Sequence, residues 1–163
     1  MAVPESFEEL AAGLRPYGAY IGSIEDTAAG CWHDPIAPGK WTIHEIVSHI
    51  WLWDTYSLEH MIPAMSEGAV LTFDNQASVN RNAEFFARRI RRTEMIDHAR
   101  QTREELIERC APVYASGVRF FVGPRRVEHD IGSYVRTFIA EHDRHHMQQI
   151  EAFLDSLAKS KTT

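Results

Sequence analysis

Three histidines fall within five positions, His142, His145 and His146, in the stretch HDRHHMQQI, a third of the 9 histidines in the chain. On a helix, residues four apart lie about 40° apart around the axis and about 6 Å along it. His142 and His146 therefore project to one side, the spacing by which a helix presents two imidazoles to one metal ion. His145 falls about 60° from His142 on the other side, nearer the edge of the apolar stripe. Two imidazoles make a weak site, since catalytic zinc takes three protein ligands and leaves a position for water or substrate. His49, in HEIVSHIWLWD, is the best third candidate, because it stands where a helix stripe calls for an aliphatic residue. His44 is expected to be exposed in the first turn of the same helix, and His60 to lie near its end. The alternative is structural: a histidine on an apolar face is commonly a core residue bonded to a backbone carbonyl. Three such residues need three partners, and each unsatisfied group costs about 1–3 kcal/mol. One divalent ion satisfies all three together.

Helical periodicity dominates the elements that must position these residues, and no segment shows sustained period-2 alternation. Ser6 and Glu9 form a capping box for a first helix, whose stripe is Leu10, Leu14, Tyr17, Ile21 and Ile24, with a kink expected at Pro16. A Gly- and Pro-rich loop follows. Thr42 and Glu45 cap a second helix, with Trp41 and Ile46 placed as a hydrophobic staple. Its buried stripe is Ile46, His49, Ile50 and Trp53, and it should end before Pro63. A short helix is expected around Asn80 to Ile90. Thr93 should cap a long helix carrying Ile96, Ala99, Leu106, Ile107 and Cys110, stopped by Pro112. The stretch GVRFFVGP, from Gly117 to Pro124, reads as a loop against one end of the bundle, with a short strand as the alternative. The last helix starts after Gly132 and carries Val135, Phe138, Ile139, His142, His146, Ile150, Phe153 and Leu157 on one stripe. Four long amphipathic helices in one unit imply an all-α four-helix bundle. A single domain over residues 1–158 is expected, with a frayed tail over 159–163.

A length of 163 residues suits one domain with a real core. The net charge of −6 and the pI near 5.8 argue against nonspecific nucleic-acid or membrane-surface binding. The one dense basic run, Arg88 to Arg92, reads as a solvated face, because no Gly-rich loop or interleaved aromatics accompany it. No signal peptide opens the chain, and no apolar run approaches the roughly 20 residues of a membrane span. The expected compartment is the cytoplasm, where Cys31 and Cys110 stay as free, unreactive thiols.

Around the candidate site, Asp54 could orient an imidazole or act as a base, although a solvated acid is the plainer reading. Trp53 and Tyr56 could line a pocket or pack in the core. Gln149 could meet a ligand or pack between helices.

PIAPGKWTIHEIVSHIWLWD, with its W-T start and H-I pair, resembles the second-helix signature of the DinB/YfiT-like superfamily. HDRHHMQQI resembles the last-helix signature of that family, H-x-x-H-H-x-x-Q-I. The two occur in the family's order, and helix count and length extend the resemblance over nearly the whole chain. The middle third, Leu71 to Val127, carries no diagnostic residue. The resemblance implies an up-down-down-up bundle, often a homodimer, with a divalent metal, zinc or nickel in many relatives. Residue by residue, its ligands would be His49, His142 and His146. It further points to thiol S-transfer, with a low-molecular-weight thiol as cosubstrate; Asp54 and His145, from their positions beside the ligands, are the catalytic candidates. Metal-dependent hydrolysis, a non-catalytic metal-binding stress-response bundle and a helical dimerisation module are the alternatives. The expected partners are a small-molecule substrate or thiol and a second copy of the chain, with no nucleic acid and no membrane.

Overall fold

The computed structural model describes residues 6–162; residues 1–5 of the expected domain and Thr163 of the expected tail lie outside the described residues. The first helix, α1 (Phe7–Ile24), starts where Ser6 accepts a hydrogen bond from the Glu9 N–H and runs through Pro16. It buries the stripe its periodicity marks, from Leu10 to Ile24. The second, α2 (Ile43–Tyr56), has the full reciprocal cap between Thr42 and Glu45. Its chain stays helical past the expected end, first as a π segment (Ser57–Met61) and then as a 3-10 turn (Ile62–Ala64). Pro63 is accommodated because it sits in the first turn of that 3-10 helix, where its missing N–H is not needed.

A short helix, α3 (Gln76–Ala87), lies against α2, tied by Ser48 Oγ donating to the Ala83 carbonyl at 2.8 Å and Trp41 Nε1 donating to Glu84 at 2.9 Å. The long helix α4 (Arg92–Ser116) packs on α1 and α2. Its N-cap is Arg91 rather than Thr93, since Glu94 reaches back to the Arg91 N–H at 3.3 Å. It also passes Pro112 instead of stopping there. A proline removes one helical hydrogen bond, and Val113 and Tyr114 beyond it pack against the core. The stop is Gly117, whose φ of +64 suits glycine and closes the helix in the left-handed region.

GVRFFVGP contains the short strand rather than a loop. Strand β2 (Phe120–Val122) pairs parallel with β1 (Val70–Leu71) and antiparallel with β3 (Val127–His129). The sheet covers one end of the bundle, burying Leu71, Phe120 and Val122. The last helical run comprises α5 (Ile131–Tyr134), a π segment (Val135–Ala140) and α6 (Glu141–Ser160). It reaches Ser160, past position 158 where the expected domain ends. The result is a four-helix bundle with one extra helix and a small sheet, and no helix of the described residues is long and apolar enough to cross a membrane.

His44 is buried, not exposed. Trp32, itself fully enclosed, donates its Nε1 hydrogen to His44 Nδ1 at 2.9 Å, and His44 Nε2 meets the Ile90 carbonyl at 2.8 Å. The Gly/Pro-rich loop is thereby locked onto α2. Accepting from Trp32 requires a neutral imidazole, and burial holds the His44 pKa below 6.5. The unfolded chain then takes up a proton before the folded one, so this group's contribution is lost as pH falls below 6.5. His44→Ala should cost about 1–3 kcal/mol at pH 7.5 by orphaning the Trp32 N–H. The gap to wild type should narrow at pH 5, as urea unfolding at the two pH values will show; a gap that widens contradicts this account.

Candidate metal centre

His49 on α2 and His142 and His146 on α6 turn toward one point. His142 Nε2 lies 2.9 Å from His49 Nε2 and 3.1 Å from His146 Nε2. These are the three ligand atoms, all within 4.8 Å of one another, that could hold a metal ion. The donor chemistry fits such an ion. His146 Nδ1 donates to the Gln149 side-chain oxygen at 2.8 Å, which leaves His146 Nε2 as a bare lone pair aimed at the centre. His142 Nε2 touches both neighbours, yet one ring nitrogen offers either one hydrogen or one lone pair, so it cannot satisfy two imidazoles. Tetrahedral coordination at zinc–nitrogen distances of about 2.0–2.1 Å sets ligand nitrogens roughly 3.3–3.4 Å apart, close to the 2.9 and 3.1 Å by which His142 Nε2 is separated from the other two.

All three rings are held neutral at physiological pH. Burial lowers the His49 pKa to about 3, with the neighbouring His142 and His146 adding to it. Burial lowers His142 to about 4, again with help from His146 and His145. His146 is lowered by burial, while its bond to Gln149 works the other way. Neutral imidazole is the metal-binding form, so lone pairs are free without any proton being displaced. The Asn80 amide on α3 lies near enough to His49 to favour its protonated form. Even so, His49 Nδ1 and Asn80 Oδ1 are both buried, and neither meets a partner in hydrogen-bond geometry.

Beside the three histidines a pocket of about 340 Å³ opens, with His49 and His142 in its wall. Trp53, Phe73, Tyr134 and Phe138 give it an aromatic lining, and Gln76 and Asn80 present amides from α3. Three features of the fold build this wall. Phe73 stands two residues past the end of β1, while Ser57 and the pair Phe138–Ile139 sit in the two π segments. Each π segment inserts an extra residue per turn and re-aims the side chains around it, a device frequent at functional sites.

The sequence candidates separate at this point. Trp53 is half-buried and lines the pocket. Tyr56 does not line it: its hydroxyl accepts from the Asp74 N–H at 3.1 Å. Gln149 holds His146 instead of facing the pocket. His145 is exposed, touching the site only through the edge of His146 at 5.2 Å. Asp54 is neither solvated nor a free base, since it is 3% exposed and bound to Arg103.

Arg103, on α4 and 1% exposed, is a residue that the sequence reading missed. Its Nε and Nη2 donate to Asp54 at 2.8 and 3.1 Å, and its Nη1 and Nη2 donate to Asp143 at 2.7 and 3.0 Å. Nη1 also donates to the Leu14 carbonyl at 2.9 Å. Burial raises both carboxylates, Asp143 to about 6, while Arg103 pulls them back down. The signal was present in the sequence: Arg103 falls between Ala99 and Leu106 on the stripe that α4 buries.

The profile of the DinB superfamily matches residues 12–150. No curated protein matches the sequence. Among solved structures, a Bacillus subtilis protein, YfiT, superposes with a TM-score of 0.73 at 12% identity, over 97% of this chain and 91% of that one. It is described as a probable metal-dependent hydrolase with an unusual four-helix bundle topology. At that identity the likeness carries the fold.

Proposed function

The chain belongs to the DinB superfamily, and from that premise we propose that it is a metal-dependent enzyme of the thiol S-transferase type, holding zinc or nickel through His49, His142 and His146. The observation that carries the reading is the convergence of three neutral imidazole nitrogens, one of them touching both others, at the mouth of an aromatic pocket. A divalent ion there would supply Lewis acidity and bring a small nucleophile to its ionised form near neutral pH.

The protein side chains divide the remaining tasks. Gln149 fixes the tautomer and orientation of His146. Trp53, Phe73 and Phe138 hold an apolar or aromatic substrate and thin the water around the reacting atoms. Asp54 and Asp143 line the pocket, but both are engaged by Arg103, so neither stands ready to take a proton from water. That favours a thiol, whose ordinary pKa of about 8.5 needs little assistance, over water as the nucleophile. In the transfer, the thiolate sulfur gives its electron pair to an electrophilic carbon, and the leaving group departs with the old bonding pair.

A second reading, hydrolysis, draws on the description of YfiT as a probable metal-dependent hydrolase. Metal analysis of purified protein, then titration of a cobalt- or nickel-substituted sample with 2-mercaptoethanol, cysteine and a glycosyl thiol, decides between them. One divalent ion per chain and a thiolate-to-metal charge-transfer band are expected. Bound metal without a band for any of the thiols, together with ester or amide hydrolysis, overturns transfer in favour of hydrolysis. Absence of stoichiometric metal overturns both.

A further inference from the structure

Arg103 sits on a helix that contributes no candidate ligand, yet it grips both helices that do. Asp54 is five residues past His49 on α2, and Asp143 directly follows His142 on α6. The guanidinium fork spans them with four of its five hydrogen bonds, and the fifth goes to the Leu14 carbonyl of α1. Every N–H of the guanidinium is thus used. Tyr17 of α1 covers it, with the guanidinium carbon 4.9 Å from the ring centroid. A planar fork with fixed donor directions sets both the distance and the rotation between two carboxylates, which a flexible ammonium does not.

The backbones of α2 and α6 approach one another at few positions, and their shared core around Ile46, Ile50 and Ile150 is apolar, so the Arg103 fork is the directional link between them beside the site. We propose that Arg103 is a positioning residue for the metal centre: by clamping Asp54 and Asp143 it sets the relative placement of α2 and α6 at which the three imidazole nitrogens converge. The inference rests on the metal-binding reading above. It differs from a role in stability alone, because a buried ion cluster replaced by apolar residues of similar volume is often neutral or stabilising. Stability and metal affinity can therefore be moved apart.

The test compares wild type with two variants: the triple change Asp54→Leu/Arg103→Met/Asp143→Leu, and the single change Arg103→Lys. Zinc affinity is read by competition with a chromophoric chelator, metal-free stability by urea unfolding, and ligand geometry by the visible spectrum of the cobalt form. The triple variant should keep metal-free stability near wild type or above it, yet bind zinc about 10- to 100-fold more weakly, the range seen when residues supporting ligands are removed. Its cobalt spectrum should shift. Arg103→Lys, assayed in stabilising osmolyte so that it remains folded, should lose affinity in the same direction. A folded variant of either kind with affinity within 3-fold of wild type and an unchanged cobalt spectrum overturns the proposal. If the triple variant does not fold, Arg103→Lys decides alone. Wild type that binds no zinc overturns the metal reading itself, a different and distinguishable failure.

Discussion

His142→Ala is expected to weaken zinc binding by more than about 100-fold, beyond the 10- to 100-fold that loss of a supporting residue alone costs. The size of the effect follows from the place of this ring in the centre. Its Nε2 is the atom in contact with both of the others, at 2.9 and 3.1 Å. Without it, His49 and His146 remain as a two-imidazole site, below the three protein ligands a catalytic zinc centre ordinarily has. The variant should nevertheless fold, because His142 is only half-buried at the pocket edge and makes no other hydrogen bond that the fold depends on. Chelator competition and urea unfolding on the same sample give the answer: lost affinity with stability within about 1 kcal/mol of wild type. Affinity equal to wild type would show that the three nitrogens do not share an ion.

How much of this centre could be read in the sequence depends on how local its causes are. The pair His142 and His146 follows from helical spacing, and His49 from a polar residue in an apolar stripe; the structure brings these three together. The caps at Ser6 and Thr42 are also local, and both form. What stayed hidden has non-local causes. His44 is buried because a loop folds back to place Trp32 over it, and no property of its own turn announces that. The two π segments, which carry Ser57, Phe138 and Ile139 to the pocket, have no composition signature. Asp54 looks like a surface acid until α4 supplies Arg103 from 49 residues away in the chain. Phe73 reaches the pocket only because a short strand pairs with another about fifty positions later. Arg103 was the one missed residue with a visible clue, a charge on a buried stripe, and its meaning depended on both carboxylates being found.

The same cluster yields the largest expected stability change. Arg103→Met alone leaves Asp54 and Asp143 buried, side by side, without a counter-charge. Breaking a buried ion cluster by removing one partner costs about 3–5 kcal/mol, because the desolvated charge that remains has nothing to offset it. For a chain of this size each kcal/mol moves the melting temperature by about 2–4 °C, so a fall of about 6–20 °C is expected. Burial already holds both carboxylates above 3.8, against the pull of Arg103. With the guanidinium gone that pull vanishes, and both folded pKa values stand further above the unfolded value. A carboxyl group raised in this way contributes stability below the unfolded pKa and loses it as pH rises through the folded one. The deficit relative to wild type should therefore be smaller at pH 5 than at pH 8. Adding Asp54→Leu and Asp143→Leu should recover most of the loss at either pH, since no buried charge is then left unpaired. Thermal unfolding of wild type, the single variant and the triple variant at the two pH values tests each step. A single variant that melts with wild type at pH 8 would mean that water reaches these carboxylates, and the cluster would then exert no grip on the helices around it.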